Sequence, residues 1–251
     1  MKFKLTPLQQ ITFFLGIYAA TAIAFSFSKE ILIHLLATVG FGVMLFFLFK
    51  KISKKPKIIY NTLTTSLIIF LVCHHFLAPN DLVFPLVATF VAIFSKFFLI
   101  HKGMPIFNPA ALGILIGLLF SEGFVSWWGV SFEGYISLAL IALWILFGLR
   151  TWKKWPIVII FLLAHFAYLG LTNLETLKFV ATDATIYFLT AVMLIEPKTS
   201  PFSKKEQIIY ALIAAATYNV LFHFHITFYE LYAILAANFY YFLAKAIKLK
   251  Q

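Results

Sequence analysis

The chain predicts an all-α, polytopic membrane protein, folded as one membrane domain over residues 1–251. Three observations carry this. Of the 251 residues, 63% are hydrophobic and 12% charged, where a soluble domain is about half apolar and about a quarter charged. The apolar residues gather into stretches close to the ~20 that take a helix across a bilayer. The basic residues fall into every second connection between those stretches.

Ten stretches qualify: 8–28, 31–49, 58–77, 82–100, 105–120, 134–149, 156–172, 176–195, 207–223 and 226–245. Two of them, 105–120 and 134–149, are short for a full crossing. Lys2 and Lys4 precede the first, which imitates a signal peptide with Ala22-Ile-Ala24 as a passable cleavage site. The charge sorting requires it to stay as a span. Lys50, Lys51, Lys54, Lys55 and Lys57 lie between the second and third, and Lys102 follows the fourth. Arg150, Lys153 and Lys154 follow the sixth, and Lys198, Lys204 and Lys205 the eighth. Lys245, Lys248 and Lys250 close the chain. Seventeen of the 20 basic residues therefore share one side. Lys29 and Lys178 fall opposite, among Glu30, Asp81, Glu122, Glu133 and Glu175, and Lys96 lies within a span. Lys and Arg accumulate in cytoplasmic loops, so both termini are expected in the cytoplasm and the protein in the inner (cytoplasmic) membrane of a cell. The net charge of +11 is then a topology signal. The expected partner is membrane lipid, and nucleic acid is not expected. The longest loops, 50–57, 121–133 and 196–206, are too short for a soluble catalytic domain.

Two interruptions stand out. The first, His101 to Gly113, carries Pro105 and Pro109, whose missing amide hydrogens stop a helix from running through undisturbed. Non-helical backbone at membrane depth has to be buried in protein or line a cavity. The second, Glu196-Pro-Lys-Thr-Ser-Pro201, has the same character: a proline pair, a lysine and small polar residues after a long span. The preceding spans share Val87-Ala-Thr89 and Val180-Ala-Thr182. This suggests an internal repeat with broken helices, as transporter folds use to build a site. Inverted five-span halves would put the breaks on opposite faces, whereas the charge sorting puts both on one.

Charges at depth are costly, about 2.5–3.5 kcal/mol on insertion scales. Asp183, about seven residues into the eighth span, is the clearest case, flanked by the hydroxyls of Thr182 and Thr185. It is expected to face a cavity or to hydrogen-bond a neighbouring helix. Lys96 is close enough to a span end to snorkel. His74-His75 and His223-Phe-His225 lie at outer span ends, where interfacial histidines outweigh a metal or haem site. The 31 phenylalanines and Trp127, Trp128, Trp152 and Trp155 read as packing and interfacial belt. The single Cys73 excludes an internal disulfide and any cysteine-ligated cluster built by this chain alone. No phosphate loop, nucleophile elbow or zinc helix is present, so a hydrolase or ATPase has no support.

At Phe107-Asn-Pro-Ala-Ala-Leu-Gly113 the chain resembles a family of membrane subunits found in the Rnf electron-transport complex and in the related sodium-translocating NADH:quinone reductase. Ala181-Thr-Asp183 and Glu196-Pro-Lys-Thr-Ser200 resemble the family's later Ala-Thr-Asp-Pro-x-Thr-Ser region, here spread over a longer stretch. The ten-span layout with internal termini extends the resemblance over most of the chain. It implies a urea-transporter-like fold and a flavin-bearing subunit that passes electrons across the bilayer. The partners it implies are other redox subunits, or a cytoplasmic flavoprotein or ferredoxin-type donor. In several family members FMN is joined to a threonine of an outer loop. Here the corresponding loop, Ser121 to Gly134, holds Ser121, Ser126 and Ser131 but no threonine. The implied flavin, FMN or riboflavin, is therefore expected to be non-covalent.

The expected function is flavin-dependent electron transport across or into the bilayer, with ion movement as a potential coupled process. One expected wall of the flavin site is Phe107, Asn108, Pro109 and Ala110, with free N–H groups at the following helix start to receive phosphate or a flavin carbonyl. Thr182, Asp183 and Thr185 form the other wall, and the second break adds Lys198, Thr199 and Ser200. The rival readings are a transporter or channel for a small solute in the same fold, and a purely structural subunit.

Overall fold

Local chemistry sets the first helix. Thr6 and Gln9 form a reciprocal capping box, and Pro7 occupies the first turn, where no amide hydrogen is needed. From there the computed structural model, which describes residues 5–53, 58–74 and 79–248, is all-α. Lys2, Lys4, Lys54, Lys55, Lys57, His75 and Lys250 lie outside the described residues.

The helices are α1 (Pro7–Phe25), α2 (Lys29–Ser53), α3 (Ile59–Val72), α4 (Val83–Phe98), α5 (Pro109–Phe120) and α6 (Gly134–Trp152). They continue with α7 (Trp155–Thr172), α8 (Leu174–Ala181), α9 (Ala184–Phe188), α10 (Lys204–His223) and α11 (Tyr229–Lys248). A π-helical turn, Leu189–Met193, carries α9 onward. A two-residue hairpin, β1 (Ile100–His101) and β2 (Met104–Pro105), joins α4 to α5. Its tip uses Lys102 and Gly103, both with positive φ, as tight hairpins require.

Every one of the ten apolar stretches contains a helix, but the helices differ in reach. Among the described residues, α1, α2, α6 and α7 are long and apolar enough to cross a membrane. The α8–α9 pair with its π turn makes a fifth if its two arms are one span, although they meet at 67°. The apolar helices α3, α4 and α5 are shorter. The eighth stretch, expected as one span, is thus bent at Thr182–Asp183. The cause is local: the Asp183 carboxylate accepts from Thr185 N at 3.0 Å and starts a new helix there. Tyr187 closes the bend by donating to Ala181 O at 2.9 Å.

One end of the bundle gathers the starts of α1, α3 and α5, which line one cavity, and those of α7 and α10, which the Lys154 and Gln207 bonds bring together. Lys96, Lys154 and Lys198 lie at this basic end. At the far end the 121–133 connection folds back over α3. Trp128 Nε1, Gly129 N and Trp127 N reach Phe70 O, Leu71 O and Val72 O at 3.0, 3.0 and 3.1 Å. These are the carbonyls that a helix leaves unpaired at its C-terminus. Tyr18, fully buried on α1, ties the same connection to α6 through Val130 O at 2.8 Å and Ser137 O at 3.2 Å.

Small residues bring α4 and α5 into close antiparallel contact, as in membrane helix pairs. A methyl group on Gly113 would lie 2.3 Å from Ala88 O and 2.8 Å from Ala92 Cβ, a contact with backbone that no rotamer relieves. Gly113→Ala is therefore expected to lower stability by about 1–3 kcal/mol. Gly16→Ala, where nothing lies within 4 Å, should not lower it. Thermal unfolding in detergent compares the two.

Candidate functional site

The two proline-rich breaks meet at the basic end, and one asparagine joins them. Asn108 caps α5 by accepting from Ala111 N at 3.1 Å. Its Nδ2 donates to Met193 O at 2.9 Å, and its backbone N–H donates to Asn238 Oδ1 at 2.6 Å. Asn238, on α11, donates from Nδ2 to Thr199 O at 3.1 Å and to Tyr210 Oη at 2.7 Å. Tyr210 in turn donates to Leu194 O at 3.2 Å. Met193 and Leu194 end the helical arm, where the last carbonyls have no regular intrahelical partner. Trp144 Nε1 takes a third, Ala191 O, at 2.8 Å. Side chains from α5, α6, α10 and α11 thus hold the end of the α9 arm.

The second break is clamped from the other side. Lys154, wholly buried between α6 and α7, donates to Ser200 O at 3.2 Å, to Ser200 Oγ at 3.1 Å and to Pro201 O. Its ammonium also lies 4.0 Å from the Phe202 ring centroid. Gln207 Nε2 adds bonds to Lys153 O, Pro201 O and Phe202 O at 3.3, 3.2 and 3.1 Å.

Between the breaks lies a cavity of about 440 Å³, within the ~300–1,000 Å³ range of small-molecule sites. Ile11, Ile68, Val192, Tyr60 and Trp152 form much of its apolar wall, and Asn61, Thr64 and Thr65 of α3 add polar groups. Asn108 and Ala110 line it from the first break, and Glu196, Pro197 and Lys198 from the second. Lys96 completes the lining and donates to Asn61 O. Burial pushes the Glu196 carboxyl above the usual range, and Lys96 and Lys198 pull it back down. The Trp152 indole N–H, buried in this wall, has no acceptor among the described residues.

The expected site residues divide. Asn108, Ala110 and Lys198 line the cavity. Phe107 stacks on Phe239 at 6.3 Å, and Pro109 is buried in the first turn of α5. Thr199 and Ser200 are buried turn residues: Ser200 Oγ donates to Glu196 O at 2.8 Å, and Thr199 O receives Asn238. The expected second wall is elsewhere. Asp183 starts the α9 arm whose other end Asn108 holds, about 15 Å away at 1.5 Å per residue. There it receives Ser131 Oγ, with Ser131 and Thr185 hydroxyls 2.9 Å apart. Thr182 is exposed, its hydroxyl turned back to Lys178 O and Phe179 O. Asp183, Thr182 and Thr185 therefore do not wall this cavity, because the helix they begin runs lengthwise away from it.

A second correction concerns the start of α5, whose amides the sequence leaves free for phosphate. Pro109 has none, Ala111 N is taken by Asn108 Oδ1, Leu112 N by Asn108 O, and Asn108 N by Asn238, which leaves only Ala110 N, in the cavity wall, without an acceptor among the described residues. An anionic group at this cavity has Lys96, Lys198 and the single amide of Ala110 to meet. The outer histidines make local bonds: His74 Nδ1 lies 3.3 Å from Ser126 Oγ, and His223 Nδ1 lies 3.1 Å from Tyr168 Oη.

Sequence reasoning passed over Asn61, Thr64, Thr65, Trp152, Lys154 and Asn238. The polar run Asn61-Thr-Leu-Thr-Thr-Ser66 at the head of an apolar stretch was a legible signal. Asn238 and Lys154 had none, since each matters through a partner far along the chain. Compared with known proteins, the chain matches no family model and no curated protein.

Lys154 has a pH signature. Burial, reinforced by Lys245, lowers its ammonium from 10.5 to about 7. Between those values the unfolded chain holds a proton that the folded chain does not, so stability rises as pH increases from about 7 toward 10.5. Melting curves in detergent across that window should show the rise, and Lys154→Met should flatten it.

Proposed function

We propose that this chain is a membrane subunit of a flavin-dependent electron-transport system, of the Rnf type it resembles, with the flavin bound non-covalently in the cavity at the basic end. The observation that carries the reading is the Trp152 indole N–H, which lines this largely apolar cavity without an acceptor among the described residues. A flavin ring offers that combination a flat apolar body and carbonyl edges. Tyr60, Trp152, Ile11, Ile68 and Val192 would hold the ring, Trp152 would donate to a ring carbonyl, and Lys198 would meet a phosphate if the ligand is FMN. The bound flavin would supply the one- and two-electron chemistry. The chain's own residues exclude water from the ring, orient it through Trp152 and Asn61, and neutralise its tail.

With this reading go the finer features of the fold: ten crossings, both termini cytoplasmic, and a urea-transporter-like arrangement. The repeat is supported by the two helix–break–helix units, α4 to α5 and α9 to α10, whose breaks line the same cavity. The donor is then a partner redox subunit or a ferredoxin- or flavoprotein-type protein docking near the lysines.

One observation favours a second reading, a small-solute transporter. The Asp183, Ser131 and Thr185 cluster lies at the far end of the α9 arm, so polar groups mark both ends of one bent element.

Gentle detergent extraction is expected to yield protein with flavin absorbance, and Trp152→Phe and Lys198→Glu are each expected to reduce the flavin retained about tenfold, the equivalent of ~1.4 kcal/mol. Protein that carries no flavin and binds neither added FMN nor riboflavin overturns the proposal. Solute uptake into liposomes that is lost in Asp183→Asn, without a chromophore, would establish the transporter instead.

A further inference from the structure

Several hydroxyls in these helices and at their ends satisfy themselves on their own backbone. Thr12 donates to Leu8 O, Ser121 to Gly117 O and Thr190 to Ile186 O, at 2.8, 2.7 and 2.9 Å. This is the usual escape for Ser and Thr in a helix. Three hydroxyls depart from it together. Thr38 on α2, Ser66 on α3 and Thr89 on α4 are each 0% exposed, and none of their side-chain oxygens has a hydrogen-bond partner among the described residues.

Two of these residues, Ser66 and Thr89, meet at one place. A methyl group on Gly42 of α2 would lie 2.2 Å from Ser66 Oγ and 3.4 Å from Thr89 Cγ2. The absence of a side chain at Gly42 therefore makes the room in which Ser66, with its hydroxyl, and Thr89, with its methyl, face α2. Thr38 lies one turn earlier on the same face of α2, four residues away. The seam adjoins the cavity through α3, whose Thr65 lines the cavity while Ser66, the next residue, faces α2 and α4.

An unpaired buried hydroxyl is costly, and three at one helix junction compound the cost. A water molecule with two to four polar partners relieves it, as buried waters commonly do. We propose that Thr38, Ser66 and Thr89 form a water-binding site at the α2–α3–α4 junction, hydrated from the neighbouring cavity. Each hydroxyl can both donate and accept, so the site suits a neutral hydrogen-bonding ligand and gives a cation no compensating negative charge.

The sign of the mutational effect tests this. If one water is shared, Thr38→Val, Ser66→Ala and Thr89→Val each strip it of a partner. Each should then lower the unfolding midpoint in detergent by ~2–4 °C, and the triple variant should lose less than the three together, because the losses are coupled through one ligand. A high-resolution cryo-EM map should show density within hydrogen-bond reach of the three oxygens. Substitutions that leave the midpoint unchanged or raise it, with additive effects, overturn the proposal, as does a map of that quality without the density.

Discussion

The hydrogen-bonded tie around Asn108 is the constraint on which the rest depends. The Asn108 side chain caps α5 and holds a carbonyl at the end of the α9 arm, and its backbone N–H, through Asn238, ties in the backbone of the second break. A neutral hydrogen bond contributes only about 1 kcal/mol net, but leaving Asn108 N unpaired in this buried setting costs ~1–3 kcal/mol, and Met193 O would keep only the 3.4 Å bond from Glu196 N. The arrangement is therefore all-or-none in character. With it intact, two non-helical segments can coexist inside an apolar bundle, and the space between them becomes a cavity.

The two ends of the bundle solve the same problem differently. At the far end, backbone meets backbone: the 121–133 connection donates amides to the last carbonyls of α3, and Tyr18 joins it to α6. At the basic end, side chains make the ties, with Lys154, Gln207, Asn108, Asn238 and Tyr210 each reaching carbonyls outside their own helices. Side-chain ties permit a looser backbone path, and this is where the cavity opens. Lys154 is buried at the cost of a lowered proton affinity, offset by three oxygen acceptors and the face of Phe202. Of the basic residues at this end, Lys154 is built into the scaffold, and Lys96 and Lys198 stand at the cavity wall.

Legibility follows the range of the interaction. Pro105, Pro109, Pro197 and Pro201 announce the breaks because proline acts on its own backbone. Asn108 is legible as a residue of consequence, although its capping role occupies the Ala111 amide and leaves only that of Ala110. Asp183 stands out by its charge, yet the sequence points it to the wrong place. Its side chain is used two residues onward, at Thr185, and it bends a stretch whose apolar composition reads as continuous. Trp152 reads as part of an interfacial belt, yet it is 7% exposed and lines the cavity.

By itself the sequence determined an apolar, all-helical chain with ten helix-bearing stretches, two proline-rich interruptions and a strong one-sided sorting of Lys and Arg. These follow from composition, spacing and covalent geometry, which are local sums along the chain. Only the tertiary structure decided that the two interruptions touch, that Asp183 lies at the opposite end of its helical arm, and that Trp152, Lys96 and Lys198 share one cavity. Those outcomes rest on which faces can approach closely, as Gly113 lets α5 meet the backbone of α4 and Gly42 lets Ser66 meet α2. Contact of that kind depends on shape at residues far apart in sequence.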